Sequence, residues 1–299
     1  MKNSKSSDDN QSNVSDEEGN EEIHEMIDNL VTSLKKFKEK RSQIGEKIRK
    51  NLDNESDEKP DSDDVEEFTR YFDETYDITK QLINEMSNAA FTTFKYSAFD
   101  DPDVKTADFL RSLNLYGELL PPYIPKDHAQ VIEGVGGIPY SKDSILTEES
   151  FVVAYINNMW CLGMVKQCKI NAQNLELSTY YVVDVEDRER PGSWYLRDKL
   201  TPLPKYKADP ICHSHALFER NTIVIAMYPQ TTCFFKAIVL EKPSRFKDKY
   251  ILTFENDASK NEWSEKMIIP QAFVLAYDDK IFTANSKTLA AKRSHLKKK

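Results

Sequence analysis

The sequence predicts a mixed fold: an N-terminal α-helical, coiled-coil-like region, then an all-β half made of two five-stranded barrels packed as one unit. Three observations carry this. From Glu21 to about residue 95, apolar residues recur at steps of three, four and seven, the signature of amphipathic helices. Beyond about residue 147 the pattern changes to short β-rich runs bounded by turn residues. Those runs occur twice: sliding the second set onto the first by 72 positions brings Ala226 onto Ala154, Cys233 onto Cys161, Asn256 onto Asp184 and Leu275 onto Leu203.

Residues 1–20 are Ser, Asp, Asn and Glu with little to bury, and are expected to be disordered. Residues 21–95 form the helical region. Its first stripe is Ile23, Ile27, Leu30, Leu34, Phe37, Ile44 and Ile48. A hinge over 51–64 carries Pro60, and a second stripe runs through Val65, Phe68, Phe72, Tyr76, Thr79, Leu82, Ile83 and Met86. Two such helices form a hairpin, a dimer or a docking element. Residues 96–147, rich in Pro and Gly, read as a linker with room for a helix over Phe109–Leu120.

Residues 148–280 hold the barrels. Five strands are expected at Phe151–Ile156, Trp160–Lys169, Tyr180–Val185, Ser193–Leu196 and Lys199–Leu203. Five more are expected at Thr222–Met227, Thr232–Leu240, Tyr250–Phe254, Glu262–Ile268 and Phe273–Tyr277. Residues 281–299 are a basic tail, either solvated or a nuclear-import signal.

Composition narrows the function. The net charge of -9 disfavours general or sequence-specific affinity for nucleic acid and favours basic partners. No apolar run reaches the length of a membrane span, so no membrane association is expected. The four cysteines lack a disulfide-framework spacing, and reduced thiols in a nuclear or cytosolic protein are expected. Cys212, His213 and His215 lack a spaced fourth zinc ligand. A Cys–His nucleophile built on Cys212 or Cys233 has no legible orienting residue, and there is neither a phosphate-binding glycine loop nor an H-E-x-x-H motif. No metal, no cofactor and no enzymatic activity are therefore expected.

The most informative run is Tyr228-Pro229-Gln230-Thr231-Thr232-Cys233-Phe234-Phe235. Tyr228 and Phe235 flank a turn between two strands, and Phe254 ends the next one. Such rings either pack into a core or wall a pocket for a cation; a methylated ammonium gains about 2 kcal/mol or more over desolvated rings. Asp184, Glu186 and Asp187, at the end of a strand in the first repeat, are either a solvated loop or a pair of carboxylates for a free N-terminal amine.

These residues resemble the SAGA-associated factor 29 family of tandem-Tudor histone readers. The resemblance rests on the Tyr228–Phe235 run, Tyr180 to Glu186, the Leu200-Thr201-Pro202-Leu203-Pro204 segment and Tyr250 to Glu255, and it covers roughly residues 148–280. It implies a chromatin-reading subunit of a histone acetyltransferase complex in the nucleus. Tyr228, Phe235 and Phe254 would then be the cage for di- or trimethylated lysine four of histone H3, Asp184 and Glu186 the pocket for the H3 N-terminal amine, and Gln230 and Thr232 contacts to the peptide between them. The N-terminal helices would join other subunits of the acetyltransferase module. The chain departs from the family in having Phe235 where Tyr can occur and Glu186 where Asp can occur. The alternative is a structural scaffold that uses only its helices.

Overall fold

A computed structural model describes residues 9–53, 62–94, 104–125, 132–187, 189–255 and 263–282. The chain divides into two compact units, Met1–Pro102 and Asp103–Lys299.

The first unit holds α1 (Asp9–Asp53) and α2 (Ser62–Phe94). Helix α1 starts well before Glu21: extending a helix needs no new nucleation, and acidic residues suit its positive N-terminal end. The two helices meet through an ion pair between Lys40 Nζ and Glu74 at 2.8 Å, and Tyr71, Tyr76, Leu82 and Phe94 are buried. The expected second stripe holds at Tyr76 and Leu82 and fails at Phe72 and Met86. Tyr71 is buried in place of Phe72, which is 66% exposed, and Met86 is exposed as well. The side chains of Ile23, Ile48, Val65 and Phe68 lie outside the described residues.

The second unit opens with α3 (Thr106–Glu118), the helix expected over Phe109–Leu120. Phe109, Leu113 and Gly117 make its buried face at helical spacing. Gly117 lies so close to the Phe273 ring that a side chain there would overlap it. Lys249 donates to the Glu118 carboxylate at 2.5 Å, fixing the end of the helix to the second barrel. Residues 132–146 then run along the barrels. Val135 bridges Tyr206, and the buried Arg197 donates to the carbonyls of Ser141, Ser144 and Leu200 at 2.8–3.1 Å. Much of the segment read as linker is thus built into the β unit.

Two five-stranded antiparallel sheets follow. The first contains β1 (Phe151–Ile156), β2 (Met159–Lys169), β3 (Thr179–Asp184), β4 (Ser193–Leu196) and β5 (Thr201–Pro202), in the order β4-β3-β2-β1-β5. The second contains β6 (Ile223–Met227), β7 (Phe234–Glu241), β8 (Tyr250–Phe254), β9 (Met267–Ile269) and β10 (Val274–Ala276), in the matching order β9-β8-β7-β6-β10. A short helix, α4 (Asp279–Phe282), closes the described chain.

The repeat reaches atomic detail. Tyr180 and Tyr250 are each 1% exposed, and their hydroxyls accept backbone N–H bonds from Leu146 and Phe218. Glu149 and Asn221 each take a left-handed backbone (φ 65° and 69°) and donate to Val165 and Val239 at 2.7 Å. Strand pairing shows, however, that one displacement does not relate the two copies. Ala154 matches Ala226, 72 positions on, but Cys161 matches Phe235 (74), Asp184 matches Phe254 (70) and Thr201 matches Leu275 (74). Insertions and deletions in the turns cause this. The β1–β2 hairpin turns on Asn157-Asn158, both with positive φ, whereas Tyr228 and Cys233 enclose four residues in the β6–β7 loop.

Candidate functional site

The longer β6–β7 loop is the core of the site. Pro229 and Gln230 occupy the corners of a turn closed by the Thr231 N–H on the Tyr228 carbonyl at 3.2 Å. Gln230 has φ 61°, so the turn is type II, with proline at its preferred corner and a left-handed residue at the next. The Tyr228 N–H donates to the Cys233 carbonyl at 2.9 Å, and the Thr231 hydroxyl donates to the Tyr228 carbonyl at 2.9 Å. Tyr228 is therefore held by backbone and side-chain bonds on both sides of the turn.

Three rings meet there. Tyr228 lies 5.9 Å from Phe235 at 78° and 5.1 Å from Phe254 at 65°, centroid to centroid. Phe235 and Phe254 stand opposite the small residues Ala226 and Ala237 in the sheet. Phe254, 2% exposed, is the floor; Tyr228 and Phe235 are half-buried and form the rim. The neighbouring Lys236 is engaged elsewhere, with Nζ 3.3 Å from Glu255. The three rings form an aromatic corner on which a cation can sit.

The acidic residues lie at the end of β3. Asp184 Oδ1 accepts the N–H groups of Glu186 and Asp187 at 2.9 and 3.4 Å, an Asx turn that aims its carboxylate from its own backbone. Glu186 is exposed, and its Oε2 accepts the Thr232 hydroxyl at 2.7 Å. Thr232, expected to contact the peptide, is instead 1% exposed, and its hydroxyl joins the acidic turn to the aromatic loop, while Gln230 stands exposed at the loop tip. The loop also pairs with the first barrel. The Leu162 N–H donates to the Thr232 carbonyl at 2.9 Å, and Cys161 and Cys233 face each other in an antiparallel bridge. Aromatic rings and carboxylates are thus presented by two barrels through one hydrogen-bonded seam.

The other candidates are dispersed. Cys212 is exposed on a turn, with its N–H donated to Asp209; His213 is buried edge-on against Tyr123, ring centroids 5.3 Å apart. Among the described residues no group of three or more His, Cys, Asp or Glu is placed to hold a metal ion. Asn256, Arg188 and the basic tail lie outside the described residues.

Residues 151–278, which span both barrels and every residue of the site, match the family model described as the SGF29 tudor-like domain. Over this stretch the chain is similar to the SGF29 tudor-like domain. It is also similar to a SAGA-associated factor 29kDa of Drosophila melanogaster, 29% identical over 179 residues that make up 58% of this chain and 60% of the relative. The chain thus spans about 60% of the length of the curated relative it matches. Two features of this tudor-like pair of barrels were not foreseen in the sequence. One is the Thr232–Glu186 bond, which links residues 46 positions apart; the other is the facing of Cys161 and Cys233, which the slide had paired as repeat equivalents.

Proposed function

We propose that this chain is a non-enzymatic chromatin reader in a SAGA-like acetyltransferase complex of the nucleus, and that it binds the N-terminus of histone H3 di- or trimethylated on lysine four. The methylammonium sits against Tyr228, Phe235 and Phe254; the free amine of the first histone residue pairs with Asp184 and Glu186; Gln230 contacts the peptide between them. The helices of the first unit, with Phe72 and Met86 exposed, dock onto other subunits of the complex. The similarity to the SGF29 tudor-like domain and to a SAGA-associated relative supports the reading.

The observation that carries it is the joining of the aromatic corner to the acidic turn by the Thr232–Glu186 bond. A trimethylammonium sheds its water more readily than an ammonium, so rings favour it, while a carboxylate pair rewards a free, charged amine. With both anchors on one rigid seam, their separation measures the distance from chain end to modified lysine.

Titration of the full chain with H3 peptides tests this. Tyr228→Ala is expected to remove most of the preference for methylated over unmodified peptide, about 30-fold if one desolvated wall is lost. Acetylating the peptide's N-terminus is expected to weaken binding. A methyl preference unchanged in Tyr228→Ala would overturn the cage, and indifference to acetylation would overturn two-point binding.

A further inference from the structure

Two thiols meet between the barrels. Cys161, on β2, and Cys233, which closes the aromatic loop, bring their sulfurs to 3.2 Å. They stand directly opposite each other in an antiparallel bridge. The adjoining hydrogen bond is made by their neighbours, from the Leu162 N–H to the Thr232 carbonyl, which makes them a non-hydrogen-bonded pair. In such pairs the α-carbons lie roughly 4.5 Å apart with side chains turned towards each other, inside the range that a disulfide spans. The two thiols differ in access. Cys161 is buried, whereas Cys233 is half-buried at the base of the loop.

We propose that Cys161 and Cys233 are a modification site: an exchangeable disulfide, formed by a hydroperoxide and opened by thiols, that staples the aromatic loop of the second barrel to the first. Cys233 is the attacking sulfur. It is the more accessible of the two, and the hydrogen bond shared with Cys161 holds it below its ordinary range against the opposing pull of burial and of Glu186 and Asp184, while the same bond and burial push Cys161 up. The Cys233 thiolate attacks one peroxide oxygen; an S–O bond forms, the O–O bond breaks, and hydroxide leaves to be protonated to water. Cys161 then attacks the sulfenic sulfur, an S–S bond forms, and its proton leaves with the hydroxyl as a second water. Two thiols lose two electrons in all, and one peroxide becomes two waters. Adjacent to the bond lie Thr232 and its partner Glu186, so the staple fixes the two pockets of the proposed site; that consequence rests on the peptide-binding reading, while the disulfide itself does not.

The test uses the full chain, reduced and then treated with hydrogen peroxide. The expected product loses the mass of two hydrogens, yields a Cys161–Cys233 cross-linked peptide on digestion, and returns to its starting mass with dithiothreitol. Cross-linking across 72 positions is expected to raise the thermal midpoint by roughly 5–15 °C. Cys161→Ser abolishes the cross-link and Cys212→Ser does not. Oxidation confined to Cys168 or Cys212, or Cys161 and Cys233 both still open to alkylation, overturns the proposal. Peptide titration of the reduced chain is read separately: failed binding in a chain that peroxide does cross-link sinks the reader and not the staple, and intact binding in a chain whose Cys161 and Cys233 stay open to alkylation after peroxide sinks the staple and not the reader.

Discussion

Thr232 is the residue on which the two halves of the site depend. Its buried hydroxyl donates to Glu186, a carboxylate that an extra methylene carries across from the acidic turn. Hydrogen bonds to charged groups are worth about 1.5–3 kcal/mol when well enclosed, and less where one partner is open to water, as Glu186 is. Thr232→Val and Glu186→Gln are each expected to destabilise the chain by about 1 kcal/mol, with the double variant costing clearly less than the sum. Urea denaturation of the four proteins checks this, and additive effects would show that the bond carries no coupling. The nearness of Tyr228 and Phe235 was readable because both flank a turn whose chemistry Pro229 announces, and Phe254 was placed by ending the next strand. The role of Thr232 was not, because its partner is 46 positions away in another repeat.

At the scale of elements, helix α3 shows how a segment with weak local signals acquires a fixed place. Its buried face holds only Phe109, Leu113 and Gly117, and the glycine, poor for a helix, is present because the Phe273 ring lies against its backbone. Gly117→Ala gains helix propensity of up to about 1 kcal/mol. It must also displace a packed aromatic, which costs about 1–3 kcal/mol. Net destabilisation is the expected outcome, measured as a lowered urea midpoint; a stabilised variant would mean that the ring yields freely. The long strands were legible because periodicity and turn residues agree along them, whereas the short β5 and β9 are Thr201–Pro202 and Met267–Ile269 where Lys199–Leu203 and Glu262–Ile268 were expected. The orientation of α2 was not: Tyr71 and Phe72 are adjacent, and only contact with a neighbour decides which turns inward.

For the whole molecule, the sequence placed a linker up to residue 147, yet the second compact unit begins at Asp103. Arg197 holds three carbonyls, two of them from residues 141–146, and Leu146 caps Tyr180. A fragment of residues 148–280 leaves the buried Arg197 and Tyr180 short of partners, and it is expected to unfold at markedly lower urea than a fragment of residues 104–282. Equal midpoints for the two would show that the preceding segment only decorates the barrels. Pro and Gly content marked that segment as irregular, but irregular chain can still be packed when side chains elsewhere satisfy its backbone.

The uneven spacing of the two β copies bears on how such a protein comes to exist. Tyr228, Phe235 and Phe254 occupy the places held in the other copy by Ile156, Cys161 and Asp184. Equivalent positions carry rings in the second copy and a carboxylate in the first. One structural position thus holds Phe254 in one copy and Asp184 in the other, so the two-point site proposed above calls for no scaffold beyond a pair of dissimilar copies.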